Sequence, residues 1–550
     1  MKGNRIRLLL LGLIAVSAII FFALYWNGQG NQASETAVTP QSMGGTHVSK
    51  QVEASCMGCH AVDENGKLAR IEYMRKTPEG WSQTIARMER LHGLKVTDEQ
   101  RKQLIKDLSN ERGLSPEEAK SVQYWLADKP SHMEDQITNP NLQNACMTCH
   151  AGGRFLAQRR TEEEWKNLKD FHLVMFPSIY LNHRHTDWPV VADAAISYLA
   201  KQYPLESKEW ESWKGKSQQV EGKWKVVGFQ GTKGVYIGDS EFMSTDGKLV
   251  ERKSVRYLEQ NASLQSRGSV DVEMYSGYAL RMQYEQAGKK LRGTFNVGRD
   301  GKTIKGDWSD TSNPGITGEE TYYRVQTEKP EIIHMEPRAI QRGQTQELTL
   351  YGMNVKQLTA QDLKLPAGIS IKNMSALSDD RLKVSLAVSK TAIEGTSAIG
   401  TEKAIVHPKL VVYDRIDYVK VTPPYAVARI GGAGPMHKVS TQFVAYAYSS
   451  GKDNKQGTDD DVELMPVTAE WALVPYPEGE KDEDLRYIGS IDSKTGLFTP
   501  AAEGVNKERP FTQENVGSVS VIATYRHGEY TLTGKTHLVI TVPDYSNVVN

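Results

Sequence analysis

Apolar positions recur at helical spacing as far as Pro204 and then change to strand-like alternation. Ser115-Pro116-Glu117-Glu118-Ala119 opens a helix whose spacing runs through Val122 and Leu126 to Asp128, where Lys129-Pro130 stops it. A matching stripe over Val191–Leu199 ends before Tyr203-Pro204, and a further helix is predicted from Asp98 to Ser109. After Pro204 come short runs rich in Thr, Val, Tyr and Gly, with turn signals between them, as in sandwiches or barrels. The fold class this predicts is multidomain α plus all-β: an N-terminal α-helical domain followed by three antiparallel domains, either β-barrel or immunoglobulin-like sandwich.

The boundaries follow the changes of pattern. Residues 1–26 hold Lys2, Arg5 and Arg7 and then an uncharged apolar run, Leu8 to Trp26, which reads as an export signal or an N-terminal membrane anchor. Residues 27–47 read as a flexible linker and 48–204 as the helical domain, in two repeats of about 48–130 and 131–204. A β-barrel is predicted over 205–329, carrying Gly222-Lys223-Trp224 and Lys305-Gly306-Asp307-Trp308. An immunoglobulin-like sandwich is predicted over 330–424 and a C-terminal sandwich over 425–550. Asp459-Asp460-Asp461 lacks the spaced ligands of a calcium loop and is expected to be a solvated turn.

Composition adds two constraints. Lys plus Arg number 67 and Asp plus Glu number 67, so charge suggests no nucleic-acid partner. All four cysteines fall in two Cys-x-x-Cys-His motifs, Cys56-Met57-Gly58-Cys59-His60 and Cys146-Met147-Thr148-Cys149-His150. This is the pattern of c-type haem attachment: two thiols on one turn form thioethers to the porphyrin, and the next histidine coordinates iron. Two covalent haem c groups are therefore expected. The competing reading, paired zinc or redox sites, lacks a recognisable ligand array. Attachment of haem c outside the cytoplasm agrees with an exported, periplasmic chain.

The helical domain is duplicated. Arg75-Lys76-Thr77-Pro78-Glu79-Gly80-Trp81 matches Arg159-Arg160-Thr161-Glu162-Glu163-Glu164-Trp165 without a gap, and each threonine stands where a helix N-cap is expected. Seven residues beyond the tryptophans stand Met88 and His172, both residue types that ligate haem iron. The register predicts a His60/Met88 first site and a His150/His172 second site. Methionine ligation favours the ferrous state, so the first is expected to have the higher potential. His92 is the rival to Met88, and Met175, His183 and His185 are the rivals to His172. Met74, before the helix, is expected in the core. No Ser/His/Asp or paired-carboxylate constellation stands out, so no catalytic residue is predicted.

Taken together, the paired haem motifs with Arg-Lys-Thr-Pro-Glu-Gly-Trp, the Gly-Lys-Trp barrel and the two sandwich-like blocks resemble the α subunit of quinohaemoprotein amine dehydrogenases. The resemblance runs from about Val48 onward and rests on domain order more than on any single motif. It implies the electron-transfer subunit of a periplasmic heterotrimer that oxidatively deaminates primary amines. A β-propeller subunit and a small γ subunit bearing cysteine tryptophylquinone would hold the substrate site. This chain would relay electrons to a soluble cytochrome c or blue copper protein. The long apolar N-terminus goes beyond the family's soluble periplasmic pattern. Two Cys-x-x-Cys-His motifs also allow a dihaem peroxidase, or a membrane-tethered carrier serving another dehydrogenase.

Overall fold

The computed structural model describes residues 48–127, 137–259, 263–265, 270–286, 288–326, 329–434, 436–477, 483–509 and 514–542. The apolar run 8–26, the linker 27–47 and the Lys129-Pro130 stop lie outside the described residues. The short loop Val62–Lys67 belongs to a compact unit apart from Val48–Ala61 and Leu68 onward. Asp63 closes it by accepting the backbone N–H groups of Asn65 and Lys67 at 2.9 and 3.1 Å. The chain as a whole is mostly β with some helices and an eight-stranded barrel.

The duplicated segment folds as its sequence suggests. Thr77 and Thr161 are N-caps, their hydroxyls accepting from the N–H of Gly80 (3.4 Å) and Glu164 (3.2 Å). They open helices Pro78–His92 and Glu162–Met175, and Trp81 and Trp165 are buried. Just before each cap the chain is extended, and Met74–Lys76 pairs antiparallel with Gln158–Arg160. Arg75 faces Arg159 there, so an approximate twofold axis relating the repeats passes between equivalent residues. Met74 is buried, as expected.

Other helices differ from the periodicity. The predicted Asp98–Ser109 helix extends to Arg112. The Ser115 helix is not continuous: Pro116–Lys120 is followed by a separate turn, Gln123–Leu126, and Val122 between them is fully buried. The Val191–Leu199 helix is longer, Trp188–Gln202, because Pro189 lies in its first turn, where its missing N–H costs nothing. Beyond the expected end of the helical region lies one more helix, Lys208–Trp213, capped by Ser207. It carries Trp210 and Trp213 on one side, both buried in a core shared with the barrel strands.

The barrel begins at Gly222. Its strands close through the pairing of Gly234–Thr245 with Lys248–Tyr257, completing the order that runs around the sheet. The fully buried Trp224, Phe242, Phe295 and Tyr322 belong to this core, which also takes Leu114 and Ala119 from the helical region. Glu79 joins the two regions at the surface of the barrel, its Oε1 accepting from Arg281 Nε at 2.5 Å. Lys253 and Glu320 are buried together, with Nζ 2.9 Å from both carboxylate oxygens. Tyr236 and Tyr322 each donate a hydroxyl to Glu320 at 2.7 Å.

Two further β domains follow, each with its own core. The expectation that they are purely antiparallel is corrected by three parallel pairings. Glu331–Glu336 pairs parallel with Ile405–Val406, Ala339–Gln341 with Leu410–Tyr413, and Tyr425–Arg429 with Tyr530–Thr541. In each case an early strand of the domain meets a late one, and the intervening chain supplies the long crossover that parallel pairing needs. Strands Thr441–Gln442 and Val444–Ser449 are separated at Phe443, which is buried in the core while they join different sheets. The acidic turn is closed on itself. Asp460 accepts from Lys452 N at 2.7 Å and Asp453 N at 3.2 Å, and Asp461 from Gly457 N at 2.7 Å.

Candidate haem sites

Each Cys-x-x-Cys-His motif lies at the end of a helical turn. Helix Lys50–Cys56 leads into the first, where the N–H groups of Cys59 and His60 return to the Cys56 carbonyl at 3.1 and 2.9 Å. A π-helical turn, Gln143–Met147, leads into the second, and Cys149 N returns to Cys146 O at 3.4 Å. Neither cysteine pair is joined as a disulfide. Burial, then the neighbouring thiol, pushes the Cys56 thiol up to about 11 and the Cys146 thiol up to about 12. Such thiols are poor redox nucleophiles. Among the described residues no three His, Cys, Asp or Glu side chains gather in a way that suits a bare metal ion.

The motif histidines are held alike. His60 Nδ1 donates to Ala69 O and His150 Nδ1 to Ala151 O, both at 3.1 Å. A carbonyl only accepts, so Nδ1 carries the proton and Nε2 keeps the lone pair that binds a metal. His172 follows the same rule, with Nδ1 donating to Leu168 O at 2.7 Å. Burial lowers the pKa of His60 and of His172, which favours the neutral, ligating imidazole in both.

At the second motif these groups meet. Cys146, Cys149, His150 and His172 line one cavity of about 340 Å³. Its apolar wall includes Phe155, Trp165, Leu168, Ile179 and Trp188. Five cations also line it, Lys76, Arg87, Arg154, Arg160 and Lys169, with no Asp or Glu among the described lining residues. Trp165 has its indole N–H buried without a partner among the described residues, whereas Trp81 donates its own to Arg112 O at 3.0 Å. Apolar walls, flanking thiols, two imidazoles and several basic side chains suit a flat macrocycle with two carboxylates. The donor set fits haem.

The rivals to His172 differ in position, and His183 reaches the second motif itself. His183 is buried with Nε2 3.2 Å from the Thr148 hydroxyl, and neither Met175 nor His185 lines the cavity. On the first helix Met88 is half-buried in the penultimate turn. His92 is exposed at the helix end, near enough to His60 for the two to interact electrostatically.

The sequence reading missed how far the repeats share their sites. Gly80, Gln83, Thr84 and Arg87 of the first helix form a wall of the second cavity. Lys76 lies beside them, fully buried, donating to Thr84 Oγ1 at 2.6 Å. Its pKa is held well below the ordinary lysine value by burial and then by the nearby Arg160 and Arg87. The spacing of those four wall residues is that of one helical face, but nothing in the sequence says which cavity the face meets.

Three family profiles match this chain, and together they span most of it. Residues 46–210 match the haem-binding region of the quinohemoprotein amine dehydrogenase alpha subunit, 329–414 its domain III and 419–549 its domain IV. The chain belongs to the quinohemoprotein amine dehydrogenase alpha-subunit family. The family is one subunit of a multisubunit oxidoreductase, so the helical region is the haem-binding part of an amine dehydrogenase component. No curated protein matches.

Solved structures match only in parts. A redesigned β-barrel shares 14% identity over 20% of this chain and 92% of its own, with a TM-score of 0.17. A chimeric titin Z1Z2 shares 12% identity over 40% of this chain and 96% of its own, with a TM-score of 0.14. A SusE-like polysaccharide-binding protein from Bacteroides thetaiotaomicron shares 11% over 54% of this chain and 43% of its own, with a TM-score of 0.13. Likenesses this slight carry no argument about the alpha-subunit chain.

Proposed function

We propose that this chain is the dihaem electron-transfer subunit of an amine dehydrogenase. It would take electrons from a cysteine tryptophylquinone on a small γ subunit, in a complex completed by a β-propeller subunit. It would pass them to a soluble cytochrome c or blue copper protein as primary amines are oxidatively deaminated. The observation that carries this reading is the convergence of Cys146, Cys149, His150 and His172 on one cavity.

In this reading Cys56 and Cys59 hold the first haem c and Cys146 and Cys149 the second, with His60 and His150 as proximal ligands. His172 is the distal ligand of the second iron. Met88, its equivalent in the repeat, is the distal ligand of the first. When bound, each haem supplies one-electron iron chemistry. The protein's part is to fix the imidazole tautomers through Ala69, Ala151 and Leu168, to exclude water with the tryptophan and phenylalanine walls, and to neutralise carboxylates with Arg154 and Lys169. The sandwich domains are immunoglobulin-like and serve with the barrel to dock the partner subunits. The site of action is the periplasm, with residues 8–26 as export signal or inner-membrane anchor. Among the described residues no helix is long and apolar enough to cross a membrane.

The test is purification of the native assembly, with the mass of every chain and a haem count by pyridine haemochrome. Two covalent haems on this chain and copurifying propeller and quinone-bearing subunits are expected. Fewer than two haems, or amine oxidation by this chain alone, would overturn the reading.

A further inference from the structure

Helix Glu162–Met175, which carries His172, is joined to helix Trp188–Gln202 by residues 176–187. Every residue of that connection is exposed except Ile179 and His183. Its helical stretch, Ser178–Asn182, has 5 residues, too few to hold a helix by itself. The backbone N–H groups of Ile179, His183 and Thr186 donate to Phe176, Ile179 and His183, so these bonds stay within the connection. Fixing it to the rest of the protein falls to its inward side chains. Ile179 lines the second cavity beside Phe176 and Ser178. His183 reaches the attachment turn, where its Nε2 and Thr148 Oγ1 share a hydrogen bond of 3.2 Å.

Thr148 stands between Cys146 and Cys149, so this bond ties the chain that follows His172 to the turn that precedes His150. The first motif has Gly58 at the same place and no hydroxyl to offer. The second turn also closes at longer range, with Cys149 N 3.4 Å from Cys146 O where Cys59 N lies 3.1 Å from Cys56 O. Segments with few buried contacts open before the rest of a fold. Opening this one uncovers the wall beside His172, whose ring centre lies 5.9 Å from that of Phe176.

We propose that the Thr148–His183 bond is a latch that holds residues 176–187 over the second haem and so governs how readily the His172 side of that iron opens. The inference rests on the two-haem reading above. His183 is a positioning residue in it and does not ligate iron.

The test is stopped-flow carbon monoxide binding to the reduced, haem-loaded full chain. A six-coordinate iron takes up carbon monoxide only after its distal ligand detaches, so the rate reports opening of that side. His172→Ala, which frees the position, identifies the phase that belongs to the second iron. His183→Ala and Thr148→Val are each expected to speed this phase about three- to tenfold, the range set by one ordinary hydrogen bond, and the double variant no further than either alone. His183→Gln, whose amide can still bond the hydroxyl, is expected to stay near the native rate. With two haems counted, single variants that leave the rate unchanged, or effects that multiply in the double variant, would overturn the proposal. A high-spin signal in ferric His183→Ala would make His183 a ligand and overturn it as well. Thr148 is exposed, so Thr148→Val opens no cavity and decides alone should His183→Ala lose its haem. A native count below two haems refutes the proposed function instead, so the two failures are distinct.

Discussion

Arg75 and Arg159 occupy the same position in the two repeats and face each other across the ribbon that joins them. Two guanidinium groups buried this close repel, and Glu118 is what reconciles them. Arg75 grips it with two bonds of 2.9 and 2.8 Å, Arg159 lies 3.5 Å away, and Ser207 donates to it at 2.9 Å. Glu118 comes from the first repeat alone and Ser207 from the chain leading to the barrel, so one carboxylate ties three parts of the protein together.

Removing that charge leaves two buried cations without their partner. Glu118→Gln is expected to destabilise the helical region by about 3–5 kcal/mol, measured by denaturant unfolding of the haem-loaded protein. A loss under about 1 kcal/mol, the range of a surface pair, would show that the ribbon does not depend on it.

Acid should weaken the same junction. Burial raises the Glu118 pKa, but the hydrogen bonds and charge of Arg75 and then the charge of Arg159 outweigh it and bring it to about 2, from an ordinary 4.5. A depressed carboxyl contributes stability that is fully present above its unfolded value and is lost as pH falls towards its folded one. Unfolding midpoints of the native protein should therefore drop between about pH 5 and pH 2, and those of Glu118→Gln should drop less.

The proposed ligands Met88 and His172 give spectroscopic predictions. His172→Ala should convert one of two low-spin ferric signals in electron paramagnetic resonance to high spin, while His183→Ala should leave both low-spin. The reverse pattern would give the second site to His183. At the first site, Met88→Ala should abolish the sulfur-to-iron charge-transfer band of the oxidised protein and His92→Ala should preserve it.

The barrel holds a comparable buried pair. Lys253→Met alone leaves Glu320 charged and buried, at an expected cost of about 3–5 kcal/mol, whereas Lys253→Met with Glu320→Leu should cost clearly less, because the Glu320 charge is then removed along with its partner. Thermal unfolding of both variants checks this. Equal losses would mean that the hydroxyls of Tyr236 and Tyr322 satisfy the carboxylate without the lysine.

Much of this protein is legible along the chain because its signals are local. The two Cys-x-x-Cys-His turns, the threonine caps, the switch of period after Pro204 and the repeat that relates Met88 to His172 all depend on residues a few positions apart. The helix Lys208–Trp213 was missed because six residues make too short a stripe to read, and what stabilises it, burial of Trp210 and Trp213 against the barrel, is not local. The parallel pairings were missed because each joins strands separated by most of a domain.

By itself, then, the sequence determined where the two Cys-x-x-Cys-His motifs lie and that the region carrying them is duplicated, since turn geometry and helix capping act within a turn or two. Only the tertiary structure decided that the first repeat walls the second cavity and that Glu118 serves both repeat arginines. Those relations depend on Coulomb interactions and packing through space, between residues whose separation along the chain says nothing of their distance apart.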